Sequence, residues 1–202
     1  MENKNGILSD GEIKEAIAFG ELEISGWPEL YIGPSSLDMH LDNKAMILDL
    51  GKASISRIED ESGYLIAGLD ASDKSKSSDL FSPYDGWEFI ILYPGEFYLL
   101  STIEKIKFSD SIVGFIQGRS SIARIGINVH NAGYFDCGFE GTATLEVTNL
   151  TKYPIKLMKH TRICQMVFAR TGRPAEVPYH SKKDQKYQGQ SGPTITKVHE
   201  DI

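Results

Sequence analysis

Cysteine is scarce in this chain. Only Cys137 and Cys164 occur among 202 residues, too few and too far apart for a disulfide framework or a Cys-x-x-Cys metal site. The five histidines, His40, His130, His160, His180 and His199, are scattered without the spacing of zinc ligands, so no protein metal centre is expected. Long apolar runs are missing as well: none approaches the ~18 residues of a membrane span. The start, Met1-Glu2-Asn3-Lys4-Asn5, has neither the n-region nor the apolar h-region of a signal peptide. Basic charge is in deficit, with a formal net charge of −7, which argues against a non-specific nucleic-acid binder. These absences point to a soluble, intracellular protein with cytoplasmic chemistry and no membrane or nucleic-acid partner.

What is present suits one domain with a sizeable core. Hydrophobic residues make up 41% and charged residues 24%, the balance of an ordinary globular chain. The charge is uneven. Residues 152–202 carry ten Lys/Arg against four Asp/Glu, which leaves −13 on the first 151. A basic end on an acidic body suits a small polyanion better than a duplex; a merely solvated tail is the plain alternative.

Ser9-Asp10-Gly11-Glu12 ahead of Ile13, Ala16 and Ile17 predicts a capped helix over 10–19, ended by Gly20. After it, short apolar runs punctuated by Gly, Pro, Asn and Asp predict strands at 36–41, 44–50, 88–92, 97–106, 112–117, 128–130, 142–149, 155–158 and 163–169. The polar stretch 70–79 reads as a mobile surface loop without a site. From Tyr179 onward large apolar side chains are few, and read alone this stretch is a disordered terminus.

Two segments carry chemistry. Gly118-Arg119-Ser120-Ser121-Ile122-Ala123-Arg124 sets two guanidinium groups and two hydroxyls beside each other. That set suits phosphate, with Ser120 and Arg124 on one face if the segment is helical. A surface helix with solvated arginines explains it equally. In 142–149, Ala143, Leu145 and Val147 alternate with Thr142, Thr144, Glu146 and Thr148. Glu146 therefore lies on the polar face of a strand, as an acid/base group or as an exposed glutamate.

Taken together, six segments resemble the dCTP deaminase branch of the dUTPase-like superfamily. They are Ile7-Leu8-Ser9-Asp10, Gly33-Pro34-Ser35-Ser36-Leu37-Asp38, Tyr93-Pro94-Gly95-Glu96-Phe97, the Arg119–Arg124 and Gly138–Glu146 runs, and the tail Lys186-Tyr187-Gln188-Gly189-Gln190-Ser191-Gly192-Pro193-Thr194. The resemblance implies a mainly β, distorted jelly-roll-like barrel over residues 1–178, a tail of 179–202 that closes over the site, and a homotrimer with sites between subunits. It implies dCTP deamination without zinc, coupled to pyrophosphate release to give dUMP, with dTTP as a feedback inhibitor. A dUTP pyrophosphatase and a silent nucleotide-binding regulator are the alternatives.

By the same resemblance Glu146 shuttles protons, Ser120 and Arg124 position the attacking water, and Asp136 meets the deoxyribose 3′-hydroxyl. Arg119, Ser121, Lys186 and Gln190 hold the triphosphate. Ala132, Tyr134 and Phe135 form the nucleoside wall, and Tyr179 belongs to the closing tail. Mg²⁺ is expected to ride on the nucleotide phosphates rather than in a protein cage. His130 is expected to support its strand end. Ala132-Gly133-Tyr134-Phe135-Asp136 follows the dUMP-forming pattern, whereas His130-Asn131-Ala132 is one residue shorter than the family loop and lacks its threonine.

Overall fold

The computed structural model describes residues 6–49, 51, 57–67, 80–130 and 133–201. The expected loop at 70–79 and residue Ala132 lie outside them. Helix α1 (Asp10–Ala18) begins as its sequence requires. Ser9 Oγ accepts from the Glu12 N–H, and the Glu12 carboxylate accepts from the Ser9 N–H at 2.9 Å, a closed capping box. Ile13 and Ala16 are buried, and Phe19 is the C-cap, so the helix stops one residue short of the expected end.

The remainder is mainly β, as expected. The strands are β1 (Gly6–Ile7), β2 (Leu22–Ser25), β3 (Tyr31–Ile32), β4 (Leu37–Leu48), β5 (Arg57–Glu59), β6 (Leu65–Ala67), β7 (Phe81–Asp85), β8 (Phe89–Leu92) and β9 (Phe97–Phe108). They continue with β10 (Ile112–Gly118), β11 (Ile127–His130), β12 (Tyr134–Phe135), β13 (Glu140–Asn149), β14 (Ile155–Met158) and β15 (Arg162–Arg170). The main sheet curls in the order β11-β13-β9-β4-β15-β10-β12, with β1, β2, β3 and β7 added at its sides. Among the described residues no helix is long and apolar enough to cross a membrane.

The two strands expected at 36–41 and 44–50 are one strand, β4. Its polar residues Asp42 and Asn43 read as a turn, but they sit in a β-bulge between Leu41 and Ala45. The bulge lets β4 pair with β15 through Leu37–His40 and with β9 through Leu41–Ile47, which bends the sheet toward a barrel. Glu104 of β9 clamps the approach. Its carboxylate accepts from the His40 N–H at 2.9 Å and meets His40 Nδ1 at 2.6 Å, with both side chains almost wholly buried. Strands β1, β2, β3, β5, β6, β7 and β12, each two to five residues long, escaped the sequence reading.

Aromatic side chains run from the core to the surface. Phe108 packs against Phe168, Phe135 and Phe139, and Phe139 packs against Tyr179 at 5.8 Å between ring centroids. A Cβ on Gly114 would lie 2.7 Å from both Met166 Sδ and Phe108 Cζ, so the absence of a side chain there lets Phe108 reach the cluster.

Candidate active site

The β13 alternation places its side chains as the pattern demands. Ala143, Leu145 and Val147 are buried in the core. Thr144, Glu146 and Thr148 turn to the other face and remain half-exposed. Across the sheet, Glu146 faces His130 of β11 and Leu99 of β9. Burial pushes the Glu146 carboxyl above its usual range, against its own backbone N–H and the nearby His130, which pull it down. Its Oε2 is buried and makes no hydrogen bond.

Glu146 opens into a cavity of about 510 Å³. Asp136, Tyr134, Phe135 and Tyr179 share this cavity with Glu146, and Gln190 joins them from the tail. Phe135 is buried under the aromatic cluster while Asp136 beside it is exposed. Burial raises the Tyr134 phenol, helped by the charge of Asp136. Six of the residues named in the sequence thus line one cavity. Phe97, Leu99, Thr144 and Tyr187 line it too and were missed. Thr144 was legible, lying two residues from Glu146 on the same strand face; Leu99 needed the β9–β13 register.

The tail is stitched onto β13 rather than loose. Gly189 N–H donates to Glu140 O at 2.7 Å, and Thr142 N–H donates to Gln190 O at 3.0 Å. Gln190 Nε2 donates to Thr142 O at 2.6 Å. Thr142 Oγ1 then accepts from Gly192 N–H, and Thr144 Oγ1 from Thr194 N–H. The Tyr179 hydroxyl accepts from the N–H groups of Lys186 and Tyr187 at 3.2 and 3.0 Å. Tyr179 and Tyr187 pack against the core, which supplies the apolar anchorage that the tail's composition conceals. The turn before it is tight. Gly138 has φ +81°, and a Cβ there would lie 2.8 Å from both Pro178 Cβ and His180 Cδ2.

The arginine-serine segment lies apart from this cavity. Helix α2 (Ser120–Ala123) follows β10, with Arg119 as an N-cap that makes no side-chain cap bond. Ser120, Ser121 and Arg124 are exposed and none lines the Glu146 cavity. Arg119 is held instead by Asp38 of β4 at 3.2 Å and by Arg162 O at 3.3 Å, while Arg162 meets the same carboxylate at 3.1 Å. Lys186 does not line the cavity either; its ammonium pairs with Asp201. One chain therefore holds a carboxylate half and, elsewhere, a cationic half.

Among the described residues no three His, Cys, Asp or Glu side chains converge as a metal cage. Both cysteines are free and buried, and burial raises both thiols, Cys164 far more than Cys137.

A relative from Methanosphaera stadtmanae named dCTP deaminase, dUMP-forming, is 39% identical over 199 residues, spanning 97% of this chain and 95% of its own. A relative from Thermomicrobium roseum named dCTP deaminase is 37% identical over 97% of this chain and 95% of its own. The crystal structure of 2′-deoxycytidine 5′-triphosphate deaminase from Agrobacterium tumefaciens superposes with a TM-score of 0.60 at 21% identity. That match covers 83% of this chain and 49% of the other, about half its length, and shows a shared fold. The family model described as dCTP deaminase-like matches residues 7–171, and the chain belongs to that family.

Proposed function

We propose that the protein hydrolyses dCTP to dUMP, pyrophosphate and ammonia. The observation that carries this reading is Glu146: a half-buried carboxyl of raised pKa, one oxygen without a partner, facing a nucleoside-sized cavity shared with Asp136. Ionised Glu146 accepts a proton from the water that adds at cytosine C4. It passes that proton to N3 and assists the departing amine, so a group whose pKa lies nearer neutrality than a free glutamate suits both directions of transfer. Asp136 receives the deoxyribose 3′-hydroxyl and orients a second water toward the α-phosphorus. Tyr134 and Phe135 wall the nucleoside, a role the resemblance gives to Ala132 as well, and the stitched tail keeps bulk water out.

The cationic half comes from a neighbouring subunit in this reading. Ser120 and Arg124 steady the water and the charge that develops on the ring, and Arg119 and Ser121 bind phosphates, with Lys186 and Gln190 from the tail. The exposure of Ser120, Ser121 and Arg124, away from the cavity of their own chain, supports a homotrimer with sites between subunits. The donor set suits Mg²⁺ carried by the phosphates, an ion that keeps several waters and needs few protein ligands. Bound there, Mg²⁺ would neutralise phosphate charge. A free-nucleotide substrate and two free thiols support a cytoplasmic location, and dTTP is the proposed feedback ligand of the same pocket.

Incubation with Mg²⁺ and, separately, dCTP and dUTP, followed by separation of the nucleotides and an ammonia assay, tests the reading. Ammonia and dUMP in equal amounts from dCTP are expected. Accumulation of dUTP would restrict the enzyme to deamination. Turnover of dUTP alone would leave a pyrophosphatase and remove the role given to Glu146.

A further inference from the structure

Arg119 is a poor local choice for the place it occupies. It is the N-cap of α2, a position that wants a side-chain acceptor, and a guanidinium has none. Its side chain is fixed by distant partners instead. One terminal nitrogen, Nη2, meets Asp38 Oδ2 at 3.2 Å, and the other, Nη1, donates to Arg162 O at 3.3 Å. A guanidinium carries five N–H donors, so these two contacts leave most of them for a ligand.

Strand register brings the carboxylate there. Asp38 and His40 lie two apart on β4 and share a face. A β-bulge between Arg162 and Cys164 sets Arg162 opposite His40, on that face. There Arg162 Nη1 reaches the same Asp38 oxygen at 3.1 Å, and its guanidinium rests over the Tyr31 ring at 5.0 Å. One carboxylate thus bridges two guanidinium groups, and the trio keeps a net positive charge. The bridge is not a freely solvated one: the Asp38 side chain is 18% exposed and that of Arg119 25%. The Gly33–Asp38 segment, to which the resemblance gave no role, ends on this carboxylate.

We infer that Asp38 is a positioning residue for the phosphate chain of the nucleotide: it holds the Arg119 guanidinium in place before the ligand arrives. The inference rests on the phosphate role proposed for Arg119. A free arginine must be frozen when it binds, and a guanidinium already held at both terminal nitrogens avoids that cost. The carboxylate also has an opposing effect, since its charge repels phosphate. Two arginines already compensate that charge, so the gain from holding Arg119 outweighs the repulsion. The two effects differ in sign, and removing the charge alone tells them apart.

The test compares the full-length parent with Asp38→Asn, Arg119→Gln and the double variant, each checked for melting temperature and for mass in solution. KM and kcat for ammonia release from dCTP are measured, together with inhibition by inorganic tripolyphosphate. Asp38→Asn should raise KM and the tripolyphosphate inhibition constant by the same factor, about two- to tenfold, the worth of one long side chain fixed in advance. The kcat at saturation should stay close to the parent's. In the Arg119→Gln background Asp38→Asn should change neither constant. Constants that fall on Asp38→Asn would make the carboxylate a repelling charge and overturn the inference. Unchanged constants, with or without a fall in kcat, would overturn it too, as would an effect that persists in full without Arg119. Asp38→Ser repeats the measurement if Asp38→Asn does not keep the parent's mass. If Arg119→Gln alone leaves both constants unchanged, the phosphate role of Arg119 fails. If it raises them and Asp38→Asn does not, only the role of Asp38 fails.

Discussion

Replacing Tyr179 with Phe separates two roles that one hydroxyl could have. The ring would keep its contact with Phe139, so the core is spared. The lost oxygen accepts two backbone N–H groups, Lys186 at 3.2 Å and Tyr187 at 3.0 Å. Each hydrogen bond contributes about 0.5–1.5 kcal/mol net, so the tail should lose about 1–3 kcal/mol of local stability. At about 1.4 kcal/mol per tenfold this raises the open fraction of the tail roughly 5- to 150-fold. Hydrogen exchange followed by mass spectrometry on peptides spanning 185–198 should show faster exchange by that factor, with β9 and β13 peptides unchanged. The KM for dCTP should rise while kcat at saturation falls less. If exchange in the tail stays at the parent rate, the two hydrogen bonds do not hold it closed. If KM rises all the same, the hydroxyl acts on the nucleotide directly.

Glu146→Gln should reduce ammonia release ~10²–10⁴-fold, the usual range for a general acid–base group, with dCTP binding retained in a calorimetric titration. The same variant should melt higher than the parent at pH 7–8. Burial raises the folded-state pKa of Glu146, so its favourable contribution belongs to the protonated form and is lost as pH rises through that pKa, whereas glutamine never ionises. The two melting curves should converge near pH 4, and a variant less stable at pH 8 would refute the sign. Glu104→Ala should cost about 3 kcal/mol in urea unfolding, since it strips both hydrogen bonds from buried His40; a change below 1 kcal/mol would deny the clamp its role. Removing Mg²⁺ should stop turnover and a zinc-selective chelator should not, with dependence on stoichiometric zinc as the contrary result.

The strand pattern of 142–149 was readable because one face of β13 meets the core and the other meets a cavity, so side chains alternate without exception from Ala143 to Val147. The capped helix was readable because Ser9 and Glu12 act within four residues. What failed was non-local. Asp42 and Asn43 carry turn chemistry, and β4 runs on past them through non-local partners: its pairing with β9 and β7 and the clamp of His40 by Glu104, 64 positions away. The tail's anchorage was equally hidden. Its hydrogen bonds go to Thr142 and Thr144, 50 residues earlier, and no local signal announces such partners. The separation of Arg119–Arg124 from Glu146 could not be read at all, because sequence proximity and a shared motif say nothing about which face of a curled sheet each segment reaches.

In the proposed mechanism, the polar face of β13 joins tail closure to proton transfer. Thr142 and Thr144 take the tail through their hydroxyls, and Glu146, the next residue on that face, takes the cavity. A strand advances about 3.3 Å per residue, so the last docking hydroxyl and the carboxyl start only about 7 Å apart. Seating Thr194 on Thr144 therefore lays the tail at the mouth of the Glu146 cavity, and Thr194, Ile195 and Thr196 become its wall. Burial desolvates the carboxyl and raises its pKa, and the tail residues that line the cavity are placed to keep water out. An open tail would return Glu146 toward an ordinary exposed glutamate, ionised and well solvated. In the proposed mechanism, closure of the tail would thus tune Glu146 for proton transfer and link nucleotide capture to reactivity through a single row of side chains.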